Sequence, residues 1–173
     1  VDWTDHLVSV DALVNYAKQV KAAVKQPVTF CENYVPWCQK LQPLVEVLDF
    51  ISIHTYPAWE YQTIEKALAY TIENYQSVAN TYPDKQIVIT EAGWTTTSNG
   101  RGIESWNASP QLQAIYYDQL VKWSIDNQIT TFFFEAFDEP WKGSGDADEP
   151  EKHWGLYYVD RSPKLAMYNK ESI

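Results

Sequence analysis

The apolar residues of this chain switch repeatedly between a helical and an extended period. Residues 10–25 carry Leu13, Val14, Ala17, Val20, Ala23 and Val24 on one helical stripe, with Asp11 near its start, which predicts a helix. Pro27 stops it, and Val28-Thr29-Phe30 reads as a short buried strand. A helical stretch over 37–48 is interrupted by Pro43, and Phe50-Ile51-Ser52-Ile53 forms the next predicted strand, ending at His54-Thr55-Tyr56-Pro57. Ile64, Leu68, Ile72, Tyr75 and Val78 mark a long helix over 63–82, and Pro83-Asp84 turns the chain into a third strand over 86–91. The polar segment 95–109, with Gly100 and Gly102, reads as a mobile rim loop. A helix over 110–126 leads to a fourth strand over 130–137, then to a loop rich in Gly, Asp and Glu and a short tail.

Strands alternating with helices of this length predict an α/β fold with a parallel sheet. The 173 residues, 45% of them hydrophobic, suit a single domain over 1–173 with a real core. They fall short of the ~250 residues typical of a complete eight-stranded barrel. No glycine-rich phosphate turn follows the first strand, which argues against a nucleotide-binding sheet. The net charge of −10 and pI near 4.6 argue against nucleic acid and anionic membranes, which reward clustered Lys and Arg. No run of ~20 apolar residues is present, and no charged-then-apolar leader; the start at Val1 rather than Met suggests upstream processing. Cys31 and Cys38 read as core thiols, with a local disulfide as the alternative, and no zinc pattern occurs. Asn107-Ala108-Ser109 fits a glycosylation acceptor, a triplet that chance often produces.

Chemistry in parallel α/β folds sits at the carboxyl ends of the strands. Those ends read Glu32-Asn33-Tyr34, His54-Thr55-Tyr56, Glu91-Ala92-Gly93-Trp94 and Glu135-Ala136-Phe137-Asp138-Glu139-Pro140-Trp141-Lys142. Each joins a carboxylate or a histidine to an aromatic residue, the mixture a sugar site needs. On the third strand Ile87, Ile89 and Glu91 share a face, so Glu91 tops an inward column if the isoleucines fill the barrel centre. Phe133, Glu135 and Phe137 share a face of the fourth strand, and pointing Glu135 inward avoids wedging a charge beneath helices. Glu32 and Glu135 also fit a purely structural role, His54 a satisfied rim histidine, and Trp94 and Trp141 either core plates or sugar platforms. Lys142 lies close enough to Glu139 for a local ion pair.

With these residues in view, the chain resembles the carboxyl-terminal half of glycoside hydrolase family 17, the β-1,3-glucanases with a TIM-barrel fold. The stretches Thr29-Phe-Cys-Glu-Asn-Tyr-Val-Pro-Trp37, Ile51-Ser-Ile-His-Thr-Tyr-Pro57, Ile89-Thr-Glu-Ala-Gly-Trp94 and Phe134-Glu-Ala-Phe-Asp-Glu-Pro-Trp-Lys142 carry the resemblance in order, joined by His153-Trp-Gly-Leu156. Bacterial members are more similar than plant ones. The resemblance implies that Glu91 is the nucleophile of a retaining reaction, that Glu139 and Lys142 support it, and that Tyr56 lines the sugar cleft. Glu32, Tyr34, His54, Trp94, Phe137 and Trp141 complete the expected substrate-binding set. It implies no metal and no cofactor, and it favours an extracellular or periplasmic location. The family's general acid lies in a Gly-Asn-Glu stretch; no Asn-Glu dipeptide occurs in this sequence, and Val1-Asp-Trp-Thr-Asp5 resembles the segment just downstream of it.

The expected fold is therefore half of a (β/α)8 TIM barrel: four parallel strands with flanking helices, completed by a homodimer. In that dimer Glu135 of one copy lies opposite Glu91 of the other and restores weak hydrolysis or transglycosylation of a β-glucan. The rival reading is a non-catalytic glucan-binding or structural module, and a third places the missing half on a separate chain.

Overall fold

A computed structural model of the chain describes residues 8–168; the predicted match of Val1 to Asp5 to the family lies outside them. The helices are α1 (Val10–Ala23), α2 (Tyr34–Gln39), α3 (Gln42–Val45), α4 (Ile64–Thr81) and α5 (Pro110–Asp126). The strands are β1 (Cys31–Asn33), β2 (Ile51–Thr55), β3 (Ile87–Ala92) and β4 (Thr131–Phe133), arranged in the sheet order β1-β2-β3-β4. Parallel strands flanked by helices make the fold TIM-barrel-like. Among the described residues no helix is long and apolar enough to cross a membrane. Two compact units emerge, one from residues 8–55 and 73–90, the other from 56–72 and 91–168.

In the first unit, Ser9 caps α1 by accepting the Ala12 amide at 3.3 Å, with Asp11 in the first turn and Lys21 in the last, as the helix dipole favours. Lys21 reaches Asp49 at 2.6 Å, and the other Asp49 oxygen takes the Val28 amide at 2.7 Å. Val28 to Phe30 is thus tied down by a side chain before the regular ladder begins. The observed β1 starts at Cys31, three residues later than predicted, in parallel register Cys31↔Ser52, Glu32↔Ile53 and Asn33↔His54. Pro43 splits the predicted helix over 37–48: its missing N–H is tolerated only in a first turn, which it supplies to α3. Trp37 anchors the unit, fully buried, with its indole N–H on the Ser52 carbonyl at 3.0 Å. Cys31 and Cys38 are both exposed free thiols, so neither is a core residue and the disulfide does not form.

The second unit carries Tyr56, Glu91, Glu135, Glu139 and Lys142. Ser109 caps α5 through the Leu112 amide at 3.1 Å, and Pro110 occupies the first turn. The buried Gln113 amide donates to three carbonyls, Trp94 at 2.9 Å and Trp154 and Gly155 at 3.1 Å. One side chain thereby fixes the segments after β3 and near the end of the chain. The predicted fourth strand, 130–137, is cut to Thr131–Phe133. Beyond Phe134 its backbone pairs with the 154–157 segment: the Glu135 amide donates to the Trp154 carbonyl, and the Tyr157 amide to the Ala136 carbonyl.

The segment 95–109 is a packed loop rather than a mobile one. Thr95 is wholly buried and its hydroxyl donates to the carbonyls of Thr97 and Pro150, while the Ser98 hydroxyl donates to the Ile103 carbonyl. Its polarity serves internal hydrogen bonds rather than solvent. Asn107 is buried as well, its amide donating to the Gln62 carbonyl at 2.9 Å, which leaves the predicted glycosylation acceptor no accessible nitrogen.

Candidate active site

β3 delivers its last two residues, Glu91 and Ala92, into the second unit. Gly93 follows because nothing larger fits: a Cβ there would stand 2.1 Å from the Phe134 carbonyl oxygen and 3.2 Å from the Trp154 ring. The close approach lets the Phe134 amide donate to the Ala92 carbonyl at 2.8 Å, which seats the chain leaving β4 beside Glu91. Gly155 plays the same part for Asp138, whose amide would lie 2.2 Å from an added Cβ.

Glu91 receives the Tyr56 hydroxyl on Oε2 at 2.6 Å. Burial, followed by the charge of Glu91, pushes the Tyr56 phenol far above its ordinary range, so it stays a donor throughout the working range of pH. The Tyr56 ring packs edge-on against Trp154 at 5.2 Å and Phe134 at 5.8 Å between centroids, giving the carboxylate an aromatic wall.

Lys142 places a cation here. Its Nζ lies 3.1 Å from Glu135 Oε2, forms an ion pair with Glu139, and sits 4.5 Å from the Phe134 ring centroid. The expected pair with Glu139 is present, and Glu135 shares the same ammonium. Burial pushes the Glu135 carboxyl up to about 7, opposed by Lys142 and assisted by Glu139. Its Oε1 is buried without a hydrogen-bond partner, which favours the neutral form. Glu151 is also raised, by burial first, with Glu149 and Glu91 adding to it and Lys142 opposing.

The Glu135 shift carries a stability prediction. A carboxyl raised on folding stabilises the native state fully below its unfolded value near 4.5, and that contribution disappears as pH climbs through about 7. Urea denaturation of the parent is expected to show stability declining between these values, and Glu135→Gln to flatten the decline.

The predicted residues divide between the units. Glu91, Tyr56, Glu135, Glu139 and Lys142 gather in the second. Glu32, Tyr34 and His54 belong to the first, where Glu32 Oε1 takes the Asn33 amide at 2.7 Å and His54 is the leading cause that lowers the Cys31 thiol. Trp94 is a correction: it is fully buried, its indole N–H bound to the Asn107 carbonyl at 2.9 Å and its ring against Tyr116, so it is a core plate with no face for a sugar. Phe137 is half-covered, with the Arg161 guanidinium 3.7 Å from its ring centroid and Tyr157 beside it, which occupies the stacking surface expected of it. Trp141 remains 74% exposed and open to a ligand. Sequence patterns missed Trp154, Phe134 and Glu151 as parts of this site; the signal available was His153-Trp-Gly-Leu156, which carried resemblance without a role. Among the described residues no group of three or more His, Cys, Asp or Glu side chains gathers as a metal site.

A buried ion pair lies beneath the rim. Lys164 has no exposed side-chain surface and reaches Asp138 Oδ1 at 2.6 Å, Thr96 Oγ1 at 2.8 Å and the His153 carbonyl at 3.2 Å. Asp138 also takes the Gly155 amide at 3.0 Å. Its carboxylate, 3.9 Å from His153 Nδ1, is the leading cause that raises that imidazole.

The model of the BtgE/BtgC glycoside hydrolase domain matches residues 3–155. The chain belongs to that family. A glucan 1,3-beta-glucosidase from Schizosaccharomyces pombe is 28% identical over 172 residues, covering 91% of this chain and 52% of that protein. Among solved structures, an active-site mutant of the Rhizomucor miehei β-1,3-glucanosyltransferase in complex with laminaritriose superposes with a TM-score of 0.80 at 28% identity, over 92% of this chain and 57% of the other. An endo-laminarinase from Formosa Hel1_33_131 gives 0.84 at 26% identity, over 98% and 55%. The chain thus spans about half the length of these relatives, and two of the three are fungal, a kinship the sequence resemblance had not singled out.

Proposed function

We propose that this glycoside hydrolase domain acts on β-1,3-glucan by a retaining mechanism in which Glu91 is the nucleophile. The observation that carries the reading is the Tyr56 hydroxyl on Glu91 Oε2 at 2.6 Å, against an aromatic wall at a strand end. The hydrogen bond orients the carboxylate by one of its oxygens. In the first step the other Glu91 oxygen forms a bond to the anomeric carbon, the bond to the leaving sugar breaks, and a general acid protonates the departing oxygen. In the second, water or another sugar hydroxyl attacks the same carbon, releases Glu91 and returns the proton to that acid. Water gives hydrolysis and a sugar gives transglycosylation. Laminaritriose, the ligand of the Rhizomucor miehei relative, is the oligosaccharide assigned to this site.

The retaining mechanism also needs a proton donor. β1 and β4 end the sheet, and a second copy set against them would make eight strands and carry its own Glu135 towards Glu91. A carboxyl raised to about 7 is suited to that task. Light scattering that finds only monomers would remove this source of the proton.

The test of the main reading is turnover and trapping. A 2-fluoro laminaribiosyl fluoride is expected to label the chain covalently, with the labelled peptide containing Glu91, and β-1,3-glucan to yield reducing ends. Glucan binding with no turnover and no label would replace the enzyme with a binding module.

A further inference from the structure

Two loops beyond the nucleophile display aromatic rings that nothing in the proposed chemistry uses. They are 56–63, after β2, and 93–109, after β3, both at the carboxyl ends of their strands, the rim that carries sites in this architecture. Tyr61 is 75% and Trp106 67% exposed. Scattered exposed aromatics are ordinary on protein surfaces, but these two stand on loops that are in contact. The loops touch at two points. At the first, Gly102 lies so close to Trp59 that an added Cβ would be 2.4 Å from its ring. At the second, the buried Asn107 amide donates to the Gln62 carbonyl at 2.9 Å. Tyr61 and Trp106 each precede that second contact by one residue, so they occupy matching places on adjoining loops.

Both supports have defined backbone geometry. Trp106 stands in the 3₁₀ turn Ser105–Asn107, whose Asn107 carbonyl is held by the buried Trp94 indole. Tyr61 has φ of 56°, a left-handed backbone that a bulky residue rarely adopts and that costs conformational energy to hold. The loop keeps its ring in water at that cost. The loops also adjoin the site: Tyr56, on Glu91, packs on Trp154 at 5.2 Å, and Trp154 on Trp59, two residues before Tyr61, at 6.1 Å.

We propose that Tyr61 and Trp106 form a stacking platform for the distal part of a β-1,3-glucan chain whose reacting end lies at Glu91. This rests on the function proposed above. A glucose ring offers an apolar C–H face to an aromatic ring and keeps its hydroxyls hydrated at the edge, which suits rings that are exposed to solvent. The platform grips polymer and leaves short oligosaccharides to the site itself.

Co-sedimentation with insoluble β-1,3-glucan, beside calorimetric titration with laminaritriose, tests it in the full chain. The Tyr61→Ala/Trp106→Ala double variant is expected to bind polymer at least tenfold more weakly and to bind laminaritriose as the parent does. Trp106→Tyr, which keeps a ring, is expected to retain most of the polymer binding. Unchanged polymer binding by the double variant would overturn the platform while leaving Glu91 chemistry intact, and so would equal losses for polymer and triose. A parent that binds no β-1,3-glucan would overturn the functional reading and the platform with it.

Discussion

Glu91→Gln is expected to lower the release of reducing ends from β-1,3-glucan by at least roughly 10⁴-fold, as removal of a bond-forming group does. The amide is nearly isosteric and its oxygen still accepts the Tyr56 hydroxyl now found at 2.6 Å, so the fold and the aromatic wall remain. What is lost is the negative oxygen that attacks the anomeric carbon; a neutral amide neither forms the glycosyl ester nor stabilises the positive charge growing on the sugar. Laminaritriose affinity is expected to stay within a few-fold of the parent, because those contacts are made before the bond breaks. A large fall in the rate with unchanged affinity separates a nucleophile from a residue that merely shapes the cleft. Full activity in the amide variant would remove Glu91 from the mechanism.

The second large effect is on stability. Lys164→Met is expected to cost about 3–5 kcal/mol, because it strands the Asp138 carboxylate in the interior. Asp138 is 6% exposed and Lys164 1%, so water replaces neither partner. The loss strikes where three stretches meet: Lys164 donates to Asp138, to Thr96 and to the His153 carbonyl. Urea unfolding with an unchanged dependence on denaturant reads the cost directly. Adding Asp138→Asn to Lys164→Met is expected to restore part of it, since the stranded charge is gone, and the non-additivity measures the pair. If Lys164→Met unfolds with the parent, the pair is not the clamp its burial indicates.

Much of the site was legible in short stretches. Ile87, Ile89 and Glu91 share a strand face by simple alternation. Lys142 three residues after Glu139 implied a local pair, which the structure contains. Other patterns misled because they were local. The run from Thr130 to Phe137 has the composition of one strand, yet β4 stops at Phe133 because the returning 154–157 segment captures the backbone that follows. The polar residues of 95–109 suggested a solvated loop, but Thr95, Ser98 and Asn107 spend their hydrogen bonds inside. Trp94 beside a carboxylate suggested a sugar platform and proved to be core.

Period, turn chemistry and strand-end composition determined the α/β alternation, its parallel sheet and the location of Glu91, because each depends on neighbours within a few residues. Tertiary structure alone decided which buried groups meet: Tyr56 with Glu91, 35 positions apart, and Asp138 with Lys164, 26 apart. No periodicity encodes such pairs. They exist because the folded chain removes water from both partners, and a charge or hydroxyl deprived of water must find its counterpart wherever the fold has carried it.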